Sequence, residues 1–312
     1  MIKEFTGVKR EKGLNEIKRK NWGKASALLA TFGLALTIFA GCGAENSGDQ
    51  GKTGDGAAGL SGKITIIGST SVGPLARSLA DSFMEQEKGV SIDIQEIGST
   101  EGIQAVINGT ADIGTASREL KDAEKEAGLD VQTIAYDGIA IVVNPANPVA
   151  DLTSEQIAQI FKGAITNWQE LGGVNQEITV VNREAGSGTR GAFQELLELE
   201  EKQADGTKRS LLTDQSLVMD STGAVKATVA ANKAAIGYIS LGVLDETVKG
   251  VKVNGIEPTL QNVKNKTYAI WRPFLMLTPS GELKAEVKAY LDYIKSVEGQ
   301  RIVETEKFIP VN

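Results

Sequence analysis

Two kinds of apolar pattern alternate along this chain. Short β-rich runs bounded by glycine or proline, KITIIG (63–68) and VSIDIQEIG (90–98), read as strands, and TIAYDGIAIVVNP (133–145) as a long strand ending at Pro145. Between them lie segments of helical period. In STSVGPLARSLADSFMEQ, Leu75, Leu79 and Phe83 recur at helical spacing behind Pro74, which suits a first helical turn. STEGIQAVINGT opens another helix with Ile103, Val106 and Ile107 inward, and ADIGTASREL is a short strand and turn. LTSEQIAQIF predicts a helix capped by Thr153 or Ser154. Then come a strand-turn-helix in EITVVNREAGSGTRGAFQELLELEEK, a helix and strand over 221–242, a strand over 268–278 and one late amphipathic helix in GELKAEVKAYLDYIKSVEGQRIVE.

Strands alternating with helices predict α/β units with mainly parallel sheets. There is no tandem repeat, but one junction recurs: a strand, then GST (68–70), GST (98–100) or GSGT (186–189), then a helix. A helix start leaves backbone N–H groups without intrahelical partners and carries partial positive charge. Glycine lets a ligand approach the backbone, and Ser or Thr adds a hydroxyl donor. One such junction is an ordinary cap. Three of them, one with Arg183 shortly before Ser187, describe an anion site, because ligands of open α/β sheets bind beyond the carboxyl ends of the strands.

The first 41 residues stand apart. Eight Lys or Arg precede residue 25, an uncharged apolar stretch (25–40) follows, and FAGC closes it at Cys42, as in an export signal. FAGC resembles the lipobox of bacterial lipoproteins, in which the cysteine after the cut receives a diacylglycerol. Cys42 is the chain's only cysteine, so it forms no intramolecular disulfide, and use as a tether accounts for its isolation. Residues 42–62, rich in Gly, Ser and Asp, read as a flexible linker. Removing the eight basic and three acidic residues of 1–41 from totals of 33 and 40 leaves a net charge of −12. That argues against nucleic acid and against docking on an anionic membrane by charge. Local dipoles still favour a small anion, since salt screens the distant charge beyond about 8–10 Å. The remaining roughly 250 residues are near the size at which one core gives way to two lobes.

The chain has no histidine, which excludes histidine general-base catalysis and His-dependent triads and argues against most transition-metal sites; no metal and no cofactor is expected. EAGSGTR is not a nucleophile elbow, because Ala185 stands where the first glycine belongs. Neither Ser-x-x-Lys nor a P-loop occurs. Ser187 is therefore a hydrogen-bond donor, not a nucleophile, and no residue is assigned a catalytic role.

Five stretches, taken in order, resemble one family, the phosphate-binding lipoproteins of the bacterial Pst-type ABC transporter. They are GSTSVGPLARSLADSF, IGSTEGIQAVINGTADIGTASREL, DGIAIVVNPANPVADLTSEQIAQIFKGAITNW, NREAGSGTRGAF and AAIGYISLG. The resemblance covers residue 63 to the C-terminus. It implies an α/β, two-lobed periplasmic-binding-protein fold of the second topological class, with the ligand cleft between lobes joined by two hinge crossovers near VVNPANP and AIGYIS. Lobe 1 would comprise 63–143 and 236–312, and lobe 2 144–235. It implies inorganic phosphate as ligand, held by Thr70, Ser71 through its backbone N–H, Ser99, Ser117, Arg183, Ser187, Gly188 and Thr189. Arg190 is expected to face solvent and Trp168 to pack. Two positions depart from the family. Ser117 stands where Gram-negative relatives carry an Asp that accepts a phosphate proton and repels sulfate, and Ala185 replaces the carboxylate partner of the clamp arginine. Asp137 is a candidate proton acceptor, with an N-cap or a hinge ion pair as the alternative reading of the residues; Glu101 and Glu184 are weaker candidates. The implied protein is a monomeric, lipid-tethered receptor on the outer face of the cell membrane, serving ABC permease subunits with a cytoplasmic ATPase. Alternatives are the same fold binding sulfate or molybdate, a phosphoester hydrolase, and a surface adhesin or signalling component.

Overall fold

The computed structural model describes residues 59–204 and 206–311. The export signal, Cys42 and nearly all of the expected linker lie outside them. The linker ends earlier than expected, because Ser61 and Gly62 already belong to the first strand, Ser61–Gly68.

A nine-stranded mixed sheet forms the backbone of the molecule. Its order is Gly89–Glu96, Ser61–Gly68, Ile113–Ala116, Trp271–Pro279, Leu129–Val143, Ala235–Ser240, Thr179–Arg183 and Leu217–Met219, with Lys249–Gly250 also paired to Leu129–Val143. The three strands at the first end are parallel, as are Ala235–Ser240, Thr179–Arg183 and Leu217–Met219. The middle departs from the parallel expectation: Trp271–Pro279 is antiparallel to both neighbours, and Leu129–Val143 is antiparallel to Ala235–Ser240. These two strands carry the chain between the halves in opposite directions, which forces their antiparallel pairing.

Two large cores lie on either side of that crossing. In the first, Ile64, Ile66, Ile113, Phe274 and Met276 point to one face, where they meet Leu75, Leu79 and Phe83 of helix Gly73–Gln86 and Tyr290 and Val303 of the C-terminal helices. The alternate residues Ala116, Leu275 and Leu277 meet Ile103 of helix Ser99–Ile107 on the other face. Ile107, expected inward, ends that helix and is exposed. In the second core, Ile139–Val143 are all fully buried, as befits a strand covered on both sides. There Phe193 stacks on Tyr238 with centroids 4.1 Å apart, and Phe161 packs edge-on to Phe193. Trp168 is wholly buried and donates to the Ala234 carbonyl at 2.8 Å.

The crossings differ from those expected. Ala135 belongs to the first core and Ile139 to the second; on the return, Ile270 belongs to the second and Phe274 to the first. The segment 236–270, assigned to lobe 1 from sequence, packs in the second core through Tyr238, Ile239, Val251 and Tyr268. An apolar strand carries no mark of which core it joins, so its sheet neighbours decide. The late helix is also two helices, Ala285–Lys295 and Val297–Thr305. Ser296 between them is extended, donates to the Tyr293 carbonyl at 2.6 Å and accepts from Gly299 N at 3.1 Å, so it ends one helix and caps the next.

Helix Ser99–Ile107 sits directly on the sheet backbone. A Cβ at Gly102 would lie 2.5 Å from the Ile67 carbonyl oxygen and 2.6 Å from Gly68 Cα. Gly102→Ala is therefore expected to lower the unfolding free energy by about 1–3 kcal/mol in urea titration, as overpacking against rigid backbone does.

Candidate functional site

Four helices begin at the seam between the two cores: Gly73–Gln86, Ser99–Ile107, Gly188–Leu196 and Thr222–Ala231. Each follows a strand end, and the turns leading into them bring hydroxyls together. Ser71 Oγ lies 2.8 Å from Thr189 Oγ1 and 2.8 Å from Thr222 Oγ1, so three helix starts from both halves meet at one hydroxyl. Thr70 Oγ1, at the half-buried edge, is 3.5 Å from Thr222 Oγ1. Ser69 Oγ donates to Ser117 Oγ at 2.9 Å, and Ser117 Oγ lies 3.4 Å from Ser99 Oγ, which accepts from Ser117 N at 3.1 Å. Gly188 lies against this pair: a Cβ there would be 2.7 Å from Ser117 Oγ. Thr100 N donates to the Gly186 carbonyl at 3.1 Å, closing the seam beside them. Ser71, Ser99 and Ser117 are fully shielded from solvent, and Thr189 and Thr222 nearly so.

Gly98 makes the second junction possible. Its φ of 134° with ψ of 155° is a conformation essentially restricted to glycine, and it turns the chain into Ser99. Arg183, at the end of its strand, is buried and supplies the cation. Its Nη1 donates to Thr222 Oγ1 at 3.2 Å, while Nε and Nη2 each donate to a Glu184 carboxylate oxygen at 2.8 Å. Glu184 thus occupies the partner's role left open by Ala185.

Other expected residues do different work. The Ser71 N–H is directed to Ser69 Oγ at 3.2 Å, so Ser71 enters the cluster through its hydroxyl. Ser187 Oγ accepts from Arg190 N at 3.2 Å and caps its helix, a bond that uses a lone pair and leaves its O–H to donate, and Gly188 and Thr189 follow it at the seam. Arg190, expected in solvent, is half-buried: its Nη1 donates to the Arg183 carbonyl at 2.9 Å and its Nε to Gln194 at 2.9 Å. Asp137 is fully buried and pairs with Arg272, whose Nη2 lies at 2.9 Å, and with Ser240 Oγ at 3.0 Å. Among the described residues no hydrogen bond joins Asp137 to the hydroxyl cluster. Burial pushes its carboxyl above the ordinary range against the opposing pull of Arg272. Thr222 was not singled out from sequence, although DSTGAV after the strand Leu217–Met219 is a fourth junction of the same kind. It was missed because its leading residue is not glycine.

Such a cluster suits a small, multiply charged oxyanion. It offers hydroxyls that donate or accept, the backbone N–H groups of helix starts and one buried guanidinium, with no group activated as a nucleophile.

A family model for the PBP superfamily domain matches residues 53–298. The chain is 34% identical to the phosphate-binding protein PstS of Bacillus subtilis over 304 residues, covering 94% of this chain and 95% of that one. It belongs to the PstS family of the PBP superfamily. A phosphate ABC transporter substrate-binding protein of Clostridium perfringens, solved with bound phosphate, is 46% identical with a TM-score of 0.76, covering 80% of this chain and all of that one. An ABC-type phosphate transport receptor from Vibrio cholerae is 39% identical with a TM-score of 0.67, covering 79% of this chain and 99% of that one. The α/β, two-lobed binding-protein architecture expected from the sequence is the architecture of this family.

Beside the cluster, Arg118 donates from Nη1 and Nη2 to the two Glu124 oxygens at 2.7 and 2.8 Å and reaches Thr100 Oγ1 at 3.3 Å. A Cβ at Gly191 would be 2.9 Å from Arg118 Cδ, so helix Gly188–Leu196 of the second half rests on this stem. Burial pushes the Glu124 carboxyl up, but the Arg118 hydrogen bonds and charge and the Lys121 N–H together hold it below its ordinary value of 4.5. Stability from this carboxylate is present above that ordinary value and is lost as pH falls through the lower folded one. Glu124→Gln is expected to be less stable than the parent by about 1.5–3 kcal/mol at neutral pH. In urea titrations at a series of pH values, that gap should narrow once pH drops below 4.5.

Proposed function

We propose that this protein is an extracytoplasmic receptor that captures inorganic phosphate between its two lobes and delivers it to an ABC transporter for import. The carrying observation is the meeting of Ser71, Thr189 and Thr222 hydroxyls, from helix starts in both halves, beside the buried Arg183 guanidinium. The kinship with PstS proteins and the phosphate-bound relative support the same ligand. A charge-assisted hydrogen bond is worth about 1.5–3 kcal/mol, and a helix terminus adds about 0.3–1. A handful of such contacts outweighs the dehydration of a small oxyanion without many formal charges.

The lobes on this reading are 59–137 with 272–311, and 139–270, and they close by bending at the two central strands. Thr70, Ser71, Ser99, Ser117, Arg183, Gly188, Thr189 and Thr222 surround the ligand. No bond of the ligand is made or broken, since Ser187 Oγ is engaged in capping its helix and the chain has no histidine. Cys42 carries the lipid that holds the receptor to the membrane after the leader is cut, and the receptor acts as a monomer. Cys42→Ala should release the protein from the membrane fraction into the medium, and unchanged retention would refute the anchor.

Sulfate deserves direct comparison, because Ser117 is neutral and Asp137 is held by Arg272 and Ser240. A hydroxyl accepts a phosphate proton without the charge that repels a fully ionised anion. Calorimetry of the purified full chain in detergent should show tight phosphate binding. Arg183→Ala should weaken it more than tenfold, the equivalent of a charged donor worth about 1.5–3 kcal/mol. Sulfate binding without phosphate binding would overturn the assignment, as would turnover of a generic phosphoester.

A further inference from the structure

Arg272 carries the one buried side-chain polar atom among the described residues that has no hydrogen-bond partner, its Nη1. The side chain is about 1% exposed, and Nε and Nη2 both face Asp137 Oδ2, which leaves Nη1 on the side of the guanidinium turned away from that carboxylate. An unsatisfied donor so deeply buried is costly, more so on a cation, and calls for a partner.

The sheet order shows where it sits. From Ser117 to Arg183 the neighbouring strands are Ile113–Ala116, Trp271–Pro279, Leu129–Val143, Ala235–Ser240 and Thr179–Arg183. Arg272 and Asp137 are register partners on the middle two of the crossing, midway between the two sides of the oxyanion site. The face is fixed as well. Arg272 lies over the Phe274 ring at 5.5 Å, and Phe274 shares a core with Val72, the residue after Ser71 at the start of helix Gly73–Gln86. From the other half, Ser240 bonds Asp137, and Tyr238, two residues earlier on the same strand face, bonds Asn182 and receives the Arg183 N–H. The charged or titratable groups around Arg272 are thus Asp137, Arg183 and Tyr238, and the Arg183 charge is near enough to oppose that of Arg272.

We infer that Arg272 is a second guanidinium of the oxyanion site, set in its floor, with Nη1 donating to the bound anion directly or through one water. The inference rests on the phosphate reading above. Asp137 then serves to orient Arg272, holding Nε and Nη2 so that Nη1 faces the seam, instead of accepting a proton from the ligand. A floor of this kind is neutral overall but turns the cationic end of the ion pair, and the free Nη1 donor, toward the ligand, which favours its more highly charged form.

Asp137→Asn/Arg272→Gln removes both charges together, so no buried ion is left alone. In calorimetry of the full chain in detergent, this variant is expected to bind inorganic phosphate more than tenfold more weakly than the parent. The loss should be larger above the second ionisation of phosphate than below it, a charge preference that a purely structural role would not produce. Parental affinity in a folded double variant overturns the inference, and so does an equal loss on both sides of that ionisation. Should the double variant lose cooperative thermal unfolding, Arg272→Lys decides: it keeps the charge and loses the Nη1 direction, so several-fold weaker binding supports the inference and parental binding refutes it. A parent that binds no phosphate overturns the phosphate reading as well. A parent that binds, is weakened by Arg183→Ala and is indifferent to the double substitution overturns this inference alone.

Discussion

The structure depends on a buried seam of polar groups between two apolar cores. Each half is a conventional α/β layer with its own hydrophobic interior. What lies between them is hydroxyl, backbone amide and guanidinium, and buried polar groups must be hydrogen-bonded to persist. Ser71 meets Thr189 and Thr222, Ser99 supports Ser117, and Thr100 N meets the Gly186 carbonyl. The partners come from both sides, so the same bonds that satisfy the polar groups also hold the halves together. On the proposed function, an oxyanion would take up these same donors in place of some of the bonds across the seam.

The acidity of the molecule does not conflict with this. Its net charge is spread over a solvated surface, where salt screens it, whereas the seam groups are buried and act at hydrogen-bond distance. Arg183 and Arg272 are each matched by a carboxylate, Glu184 and Asp137. The charge pairs therefore cost less to bury than isolated cations would, and each guanidinium keeps part of its donor set free of its carboxylate.

Much of the architecture was legible in sequence because its signals are local. Glycine-bounded β runs, the Pro74 helix start, the Thr153 cap and the Gly-Ser-Thr turns are written within a few residues of where they act. The late helix reads as one because its amphipathic period runs on through Ser296, and a serine reads as a surface residue until its caps are seen. Arg190 reads as a solvent-facing residue because nothing adjacent to it in sequence announces the Arg183 carbonyl it bonds.

By itself the sequence determined the alternation of strands and helices, the glycine-hydroxyl turns at helix starts, the basic residue beside one of them, and the absence of any histidine to do chemistry. These follow from backbone conformation and composition, which neighbours in the chain dictate. Only the tertiary structure decided which turns share a site, that Thr222 joins them, that 236–270 packs in the second core, and that Asp137 belongs to Arg272. Those outcomes depend on strand order and register, set by packing between residues far apart in the chain, and no local pattern encodes them.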